Sequence, residues 1–394
     1  MKLFHLADLH IGKQVHNVSM LPDQRYILGQ VLEAVRREKP DAVLLSGDIY
    51  DKPQIAREAE KLYDWFLTEL AAVGQPVLVI SGNHDSAAHV GYFSELLKGR
   101  GLYTSAPEFS GVGAPVVLED EHGPVSFWLL PFLKPIDVRA AYPEEEYPDV
   151  KTDSYHNAIA SVVAQMDVDP KQRNVLLCHQ FVVKSLGSGE ETGVEKADSE
   201  TLSIGGLDCV GAALFDVFDY VALGHLHRPQ KVGRETVRYC GTPLKYSFSE
   251  ANDHKSITVV ELGPKGDVHL STIPLTPQRD MRRIAGSFEE LTSHDYYAQQ
   301  DTDDYLEITL TDDTEVPGAF RRLQQVYPNL LSLRYEKLGA SAVTGAVSVK
   351  ELETMDPFDL ISKFFREQTG KDLGSEQERF LKTLMTDLWG GEDA

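Results

Sequence analysis

Continuous hydrophobic runs alternate with amphipathic stretches along the first part of the chain. Residues 24–37 and 55–73 carry apolar side chains at helical spacing and predict two helices. Short aliphatic runs lie before and between these stretches and predict strands at 3–7, 42–46 and 77–80. Runs that are apolar at every position are typical of strands buried on both faces, as in α/β folds, where functional sites collect at the carboxyl ends of the strands.

The later hydrophobic runs predict two kinds of strand pairing. Runs at 125–130, 174–178 and 220–223 resemble the buried strands before them. Three further runs follow one another without an intervening helix, at 237–240, 256–262 and 268–275. We therefore expect the sheets to finish in antiparallel pairing.

The pattern changes after Pro277. Strand patterns at 281–285, 305–310 and 330–335 enclose two helical patterns. The first helix begins at Ser287, where Glu290 completes a capping box, and the second covers 318–327. This order predicts a small α+β domain.

The end of the chain predicts a linker and two amphipathic helices. Residues 340–349 are small and weakly patterned, and a glycine-rich segment at 187–193 similarly predicts a loop. Asp356 and Pro357 begin the first terminal helix, which ends at Gly370, and a capping box of Ser375 and Glu378 begins the second. Their apolar side chains need a surface to cover: Phe358, Ile361, Phe365, Phe380, Leu381, Leu384 and Leu388. The predicted domains are therefore 1–277, 278–340 and 350–394.

Composition narrows the class of protein. Hydrophobic residues make up 42% and charged residues 25% of the 394 positions, as in ordinary globular proteins. Three widely spaced cysteines, Cys178, Cys209 and Cys240, argue against a disulfide framework and for a reducing compartment. No stretch approaches the roughly 18 apolar residues of a membrane span, so we expect a cytoplasmic, nucleoid-associated protein.

The net charge of −23 weighs against nucleic-acid binding, because phosphate contacts require a basic surface. An acidic chain can still bind DNA through local basic patches, bound cations or a partner. The candidate basic residues are Arg279, Arg282, Arg283, Arg321 and Arg322, and a solvated face of mixed charge explains each of them equally well.

Candidate metal ligands follow five of the hydrophobic runs. Two divalent ions about 3.5–4 Å apart activate a water molecule and neutralise phosphate oxygens during phosphodiester hydrolysis. Seven side chains fit that demand, with Asp48 as the expected bridge between the two metals: Asp8, His10, Asp48, Asn83, His179, His225 and His227. Imidazole, carboxylate and amide ligands without a thiolate suit manganese or iron better than a closed zinc site, although zinc remains compatible. Cys178 should point away from the site into the core, because successive side chains of a strand alternate.

His84 is the candidate general acid. It lies between the predicted ligand Asn83 and Asp85, where an imidazole can stabilise the phosphate and protonate the leaving oxygen. We expect Asp85 to hold its ring by a hydrogen bond. The remaining histidines lack this context and are interpreted as surface or packing residues: His5, His16, His89, His122, His156, His254, His269 and His294.

These motifs resemble those of the calcineurin-like metallophosphoesterases, and the opening Phe4 to Gly12 is especially similar to the bacterial branch of the Mre-eleven nuclease family. The resemblance covers roughly residues 1–275. It implies a two-sheet β-sandwich flanked by helices, a smaller DNA-capping domain, and a helical segment that docks on an SbcC-type ATPase.

The resemblance also implies a manganese-dependent exonuclease on double-stranded DNA and an endonuclease on hairpins, acting as a homodimer in DNA repair and recombination. The implied dimer faces are the helices at 63–70 and 93–97. Asp8, His10, Asp48 and His227 would hold one metal, and Asp48, Asn83, His179 and His225 the other.

One position departs from the family pattern. Archaeal and eukaryotic relatives carry a second site histidine where this chain has Asp51. Asp51 cannot donate a proton at neutral pH with an ordinary pKa, so it is predicted either to orient His84 or to cap the following helix.

Three hypotheses about function stay open at this point: a DNA nuclease subunit, a small-substrate phosphatase or cyclic-nucleotide phosphodiesterase, and a non-catalytic scaffold. The additional domain and the terminal helices favour the nuclease. The complete ligand set together with His84 weighs against the scaffold.

Overall fold

The computed structural model describes residues 1–92, 94–186, 194–198, 208–336, 358, 361–362, 364–366 and 372–389. The loop predicted at 187–193, the linker predicted at 340–349 and most of the helix predicted from 356 to 370 lie outside these residues. The chain divides into two compact units, Met1–Met281 and Arg282–Ala394.

The first unit contains sixteen strands and six α-helices among its described residues. The strands are β1 (Lys2–Leu6), β2 (Gln14–Val15), β3 (Val18–Ser19), β4 (Ala42–Ser46), β5 (Val77–Ile80), β6 (Leu102–Thr104), β7 (Val116–Asp120), β8 (Gly123–Leu130), β9 (Arg173–His179), β10 (Val182–Val183), β11 (Val210–Gly211), β12 (Tyr220–Gly224), β13 (Gln230–Val232), β14 (Arg234–Tyr239), β15 (Ser256–Leu262) and β16 (Val268–Pro274). The helices are α1 (Leu21–Glu38), α2 (Arg57–Val73), α3 (Ala87–Val90), α4 (Ser94–Lys98), α5 (Pro135–Ala141) and α6 (Tyr155–Gln165).

Two six-stranded sheets form the frame of this unit. Their strand orders are β16-β15-β1-β4-β5-β6 and β13-β14-β12-β9-β8-β7. The predicted antiparallel ending is confirmed in both sheets. In the first, β15 pairs in that sense with β1 and with the edge strand β16. In the second, β14 pairs antiparallel with the short edge strand β13, while it runs parallel to β12.

Apolar side chains fill the space between the two sheets. Leu44 and Ile80 of the first sheet pack in one cluster with Phe127 and Leu177 of the second, all of them fully buried. Helices α5 and α6 pack on the other side of the second sheet, in a cluster that includes Cys178 as predicted. Because the strands are covered on both faces, their aliphatic runs are continuous rather than alternating.

The second unit is a small α+β fold. Its elements are β17 (Met281–Gly286), α7 (Phe288–Thr292), α8 (His294–Tyr297), β18 (Tyr305–Leu310), α9 (Ala319–Leu323) and β19 (Leu330–Tyr335), and its sheet has the order β17-β18-β19. The Ser287 side chain caps α7 by accepting a hydrogen bond from the Glu290 N–H, as predicted. Further along the chain, α10 covers Ser375–Trp389.

The pattern-based prediction of an α/β fold with sheets flanked by helices is confirmed. Among the described residues, no helix combines the length and the hydropathy needed to cross a membrane.

Candidate two-metal centre

The five predicted ligand clusters meet at one edge of the first unit. They follow β1, β4 and β5 of the first sheet and β9 and β12 of the second. Within each sheet these strands run parallel to one another, so their carboxyl ends point the same way. The His179 Nδ1–H of the second sheet donates to the Ser46 carbonyl of the first at 2.7 Å. The predicted ligands of both sheets therefore share one location.

Four of these residues adopt left-handed backbone conformations, with φ of 53° at Asp8, 44° at His10, 49° at Asp48 and 111° at His225. Such conformations are uncommon for residues other than glycine and concentrate at functional sites, where the surrounding structure enforces them. Here backbone hydrogen bonds help to enforce these conformations. The Asp8 N–H donates to the Gly47 carbonyl and the His10 N–H donates to the Asp48 carbonyl, both at 3.0 Å.

Glycine precedes the ligands where the chains approach most closely. A Cβ atom on Gly224 would lie 2.0 Å from the Ser46 carbonyl oxygen, and one on Gly82 would lie 2.2 Å from Asp48 Oδ1. Both distances are far inside van der Waals contact. Gly224 is therefore needed where the two sheets meet, and Gly82 where the segments after β4 and β5 meet.

The donor atoms form two groups. In one, the Nε2 atoms of His10 and His227 lie 3.1 Å apart. In the other, Asn83 Oδ1 lies 3.1 Å from His179 Nε2 and 2.8 Å from His225 Nδ1. These separations are those of neighbouring ligands around one ion with bonds of about 2.0–2.1 Å.

Asp48 lies between the two groups. Its Oδ2 is 3.8 Å from His10 Nε2 and 3.3 Å from His179 Nε2, while its Oδ1 accepts the His84 N–H at 2.8 Å. Asp8 accepts the His225 N–H and belongs to the same cluster of donor atoms as His10 and Asp48. The chemistry and spacing of the seven donors thus fit two divalent cations that share one carboxylate.

The protonation states of His10, His225 and Asp48 favour cation binding, whereas that of His179 opposes it. Burial lowers the pKa of His10 well below its usual range and that of His225 to about 3, so both imidazoles are neutral. Burial opposes the charged form of Asp48, but His179 and His10 keep its pKa below the usual value and it stays ionised. Despite burial, Asp48 raises the pKa of His179 to about 9, so an ion at that position must displace a proton.

The ring of His84 is held by a different residue from the one predicted. Its Nδ1–H donates to the backbone carbonyl of Asp51 at 2.8 Å. The prediction that Asp85 holds the ring is wrong, because the Asp85 carboxylate already accepts the N–H groups of Ile49, Tyr50 and Gly82 at 2.9–3.0 Å. Asp85 instead joins the loops that follow β4 and β5.

Of the two predicted roles, orientation of His84 stays a prediction for the Asp51 carboxylate, because the contact to His84 comes from the Asp51 main-chain carbonyl. The other role is excluded, since α2 begins at Arg57 with Ala56 as its N-cap. The Asp51 carboxylate lies 2.8 Å from the Lys13 ammonium and 3.9 Å from His10 Nδ1.

A buried ion pair behind His227 was not predicted. Glu250 Oε1 lies 3.7 Å from His227 Nδ1, and Glu250 Oε2 lies 2.6 Å from the Lys255 Nζ. The Lys255 ammonium also donates to the His227 carbonyl at 2.9 Å. The Thr242 hydroxyl also donates to Glu250 Oε2 at 3.3 Å.

Four of the five candidate arginines are engaged within the chain, and Arg321 is exposed. Arg279 pairs with Asp23, Arg282 with Asp304, and Arg283 with Glu307, at 2.5–3.1 Å. Arg322 lies over the ring of Phe288. The mixed-charge interpretation therefore describes these residues better than a free basic patch.

Three comparisons place the chain among known proteins. The model of the calcineurin-like phosphoesterases matches residues 1–229, and that of the type 5 capsule protein repressor C-terminal domain matches residues 277–369. The chain is 29% identical over 393 residues to a Staphylococcus epidermidis protein whose name makes it a subunit of the nuclease SbcCD, covering 98% of each. A dimetal phosphatase structure from Danio rerio is 13% identical, with a TM-score of 0.39 over 70% of this chain and 98% of that one. Since the first model covers more than half of the sequence and all seven candidate ligands lie within its span, the chain belongs to the calcineurin-like phosphoesterase family.

Proposed function

We propose that this chain is the nuclease subunit of a complex with an SbcC-type ATPase and that it hydrolyses DNA phosphodiesters at a pair of manganese ions. The observation that carries the proposal is the convergence of seven donor side chains from both sheets on one edge of the first unit. The similarity to a nuclease over nearly the whole length of both chains supports DNA as the substrate class.

Family membership implies divalent metal ions, and the spacing of the donor atoms supports seven residues as their proposed ligands. Asp8, His10 and His227 would hold one ion, and Asn83, His179 and His225 the other, with Asp48 shared between them. When bound, such a pair supplies an activated water molecule and neutralises charge on the phosphate. The absence of thiolate among the donors is the reason for proposing manganese.

His84 is proposed as the general acid. Its Nδ1–H donates to a carbonyl, which leaves Nε2 as the nitrogen that can deliver a proton to the leaving oxygen. Its main-chain N–H binds Asp48 Oδ1, so the acid is fixed relative to the shared ligand. The side chain is partly exposed, and a strand of DNA can therefore approach it.

The remaining parts of the chain are proposed to bind macromolecules. Residues 278–340 would form the DNA-capping domain, and residues 350–394 would dock on the ATPase. In α10, Phe380 and Leu384 lie four residues apart on one face of the helix and are 70% and 42% exposed, which supports docking because adjacent exposed apolar side chains mark interaction surfaces. A homodimer through helices of the first unit completes the proposal.

The test is an assay of the purified full chain on blunt duplex and hairpin DNA with Mn²⁺, with and without the ATPase partner. We expect exonucleolytic cleavage of the duplex and opening of the hairpin, both abolished by EDTA. Hydrolysis of bis-nitrophenyl phosphate without any DNA cleavage would contradict the proposal and favour a small-substrate phosphodiesterase. Hydrolysis of neither would favour a scaffold.

A further inference from the structure

The rim of the candidate centre carries an ion pair that neither the ligand set nor His84 accounts for. The Lys13 ammonium lies 2.8 Å from Asp51 Oδ1, and the two side chains are 16% and 13% exposed. A single carboxylate uses one of the three donors of an ammonium group. Among the described side chains, Asp51 is the acid within ion-pair distance of Lys13, and the Lys13 side chain is partly exposed.

The main chain fixes Lys13 beside the predicted ligands. Its N–H donates to the His10 carbonyl at 2.9 Å, and its own carbonyl accepts the Met20 N–H at 3.0 Å. Asp51 is fixed in the same way, since its N–H binds the Ile11 carbonyl at 3.3 Å and its carbonyl holds His84. The segments after β1, β4 and β5 therefore hold the main chains of Lys13, Asp51 and His84 close together.

The positive charge of Lys13 also acts electrostatically on His10. Burial is the main reason why the pKa of His10 lies well below its usual range, and the positive charge of Lys13 acts in the same direction. The donor atoms of His10, Asp51 and His84 lie within 4.8 Å of one another. The Lys13 ammonium, which pairs with the Asp51 carboxylate, therefore lies close to the side chain of the proposed acid, His84.

Other cations around the centre are engaged more fully. Lys255 is buried with Glu250 and donates to a carbonyl. Lys245 donates to the Ala251 carbonyl at 2.6 Å and pairs with Asp280 at 2.9 Å, and Arg228 pairs with Glu195 and donates to the Ser249 carbonyl. In a chain with a net charge of −23, Lys13 uses fewer of its donors than these three cations and so is better suited than they are to contact an anionic substrate.

We propose that Lys13 binds a phosphate of the DNA strand beside His84, and that Asp51 is the positioning residue for Lys13. This inference rests on the proposed nuclease function. It gives Asp51 a role in the position where related nucleases carry a second histidine: the aspartate does not transfer a proton but holds a lysine that supplies the positive charge. A fixed cation of this kind needs little reorganisation when the anion binds.

The experiment measures how DNA affinity depends on salt. A fluorescent blunt duplex is titrated with the full chain in EDTA, where no cleavage occurs, at several KCl concentrations. Each phosphate contact contributes about 0.9 to the slope of log affinity against log salt. We expect Lys13→Gln to lower the magnitude of the slope by about that amount and Lys13→Arg to retain it.

The matched control is Lys2→Gln, which removes a lysine paired with Glu38 at 2.7 Å near the opposite end of β1. It should leave the slope unchanged. Asp51→Asn keeps the carbonyl that holds His84 and should weaken binding in the same direction as Lys13→Gln. With Mn²⁺, Lys13→Gln should raise KM for DNA while kcat stays within about twofold, because the contact exists before the transition state.

Three outcomes would overturn the inference. If Lys13→Gln and Lys2→Gln have the same slope while the wild type cleaves DNA, Lys13 does not contact phosphate and the proposed function stands. A normal slope for Asp51→Asn alone would remove Asp51 as the positioning residue. A wild-type chain that neither binds nor cleaves DNA would overturn this inference and the proposed function together.

Discussion

The Nε2 atoms of His10 and His227 lie 3.1 Å apart, although 217 residues separate them in the sequence. His10 follows the first strand of one sheet and His227 follows a central strand of the other. Two imidazole nitrogens facing each other at this distance repel unless one carries a proton or a cation lies between them. The packing of the two sheets therefore brings these two imidazoles to a distance that suits a bound cation.

The first prediction concerns His84. His84→Gln should lower kcat for DNA cleavage by about 10²–10⁴-fold, since a positioned general acid contributes about that much. Manganese binding, measured by calorimetry, should be unchanged because His84 is not assigned as a ligand. His89→Gln is the control, as this exposed histidine lies 4.0 Å from Glu60 and outside the donor cluster. Full cleavage by His84→Gln with metal bound would rule out its role as the acid.

The second prediction concerns the buried pair behind His227. Glu250→Gln should weaken manganese binding by about 10–100-fold, as expected when a carboxylate that orients a ligating histidine is lost. It also leaves Lys255 without its partner, so the double variant Glu250→Gln with Lys255→Met separates metal affinity from folding. If calorimetry of the double variant gives wild-type affinity, Glu250 does not orient His227.

The third prediction tests the close approach of the two sheets. Gly224→Ala places a Cβ 2.0 Å from the Ser46 carbonyl oxygen and should destabilise the protein by at least about 1–3 kcal/mol, or prevent folding. Gly29→Ala is the matched control, because it lies within α1 with nothing inside 4 Å and should be neutral or stabilising by up to about 1 kcal/mol. Thermal unfolding followed by circular dichroism would measure both. Equal melting temperatures for the two variants would contradict the packing argument.

Much of this arrangement could be predicted from the sequence, because each ligand follows a buried aliphatic run. Strand ends and turn glycines such as Gly82 are local signals, and they located the ligands. The partners of those ligands are not local. Glu250 reaches His227 through tertiary packing, and Asp85 turns toward three backbone N–H groups rather than toward the neighbouring imidazole. Which of several nearby groups a side chain binds depends on chain paths that periodicity does not reveal.

The fourth prediction concerns stability and pH. Arg173 donates to Asp120 at 2.5 and 3.0 Å, and this interaction holds the pKa of Asp120 well below its usual range. A carboxyl with a lowered folded-state pKa stabilises the fold above its unfolded pKa of about 3.9, and the contribution is lost as the pH falls. Asp120→Asn should therefore cost about 1–3 kcal/mol at pH 7.

The difference in unfolding free energy between the wild type and Asp120→Asn should shrink steadily below about pH 4. Urea denaturation at several pH values measures it. A difference that is the same at pH 3 and pH 7 would show that the ion pair does not contribute through the charge of Asp120.

The fifth prediction concerns α10. Replacing Phe380 and Leu384 together by aspartate should abolish co-purification with the SbcC-type ATPase, because charges would face an apolar partner surface. Hydrolysis of bis-nitrophenyl phosphate by the isolated chain should be unaffected. Glu376→Lys, in the first turn of the same helix, controls for a general change of charge. Retained co-purification of the aspartate variant would remove this helix from the proposed interface.

The central claim is that seven side chains hold two divalent ions with Asp48 between them. Anomalous diffraction from crystals grown with Mn²⁺ tests it most directly. The account predicts two manganese peaks about 3.5–4 Å apart, one beside His10 and His227 and the other beside Asn83, His179 and His225. A single peak, or a peak held by His10, Asp51 and His84 instead, would contradict it.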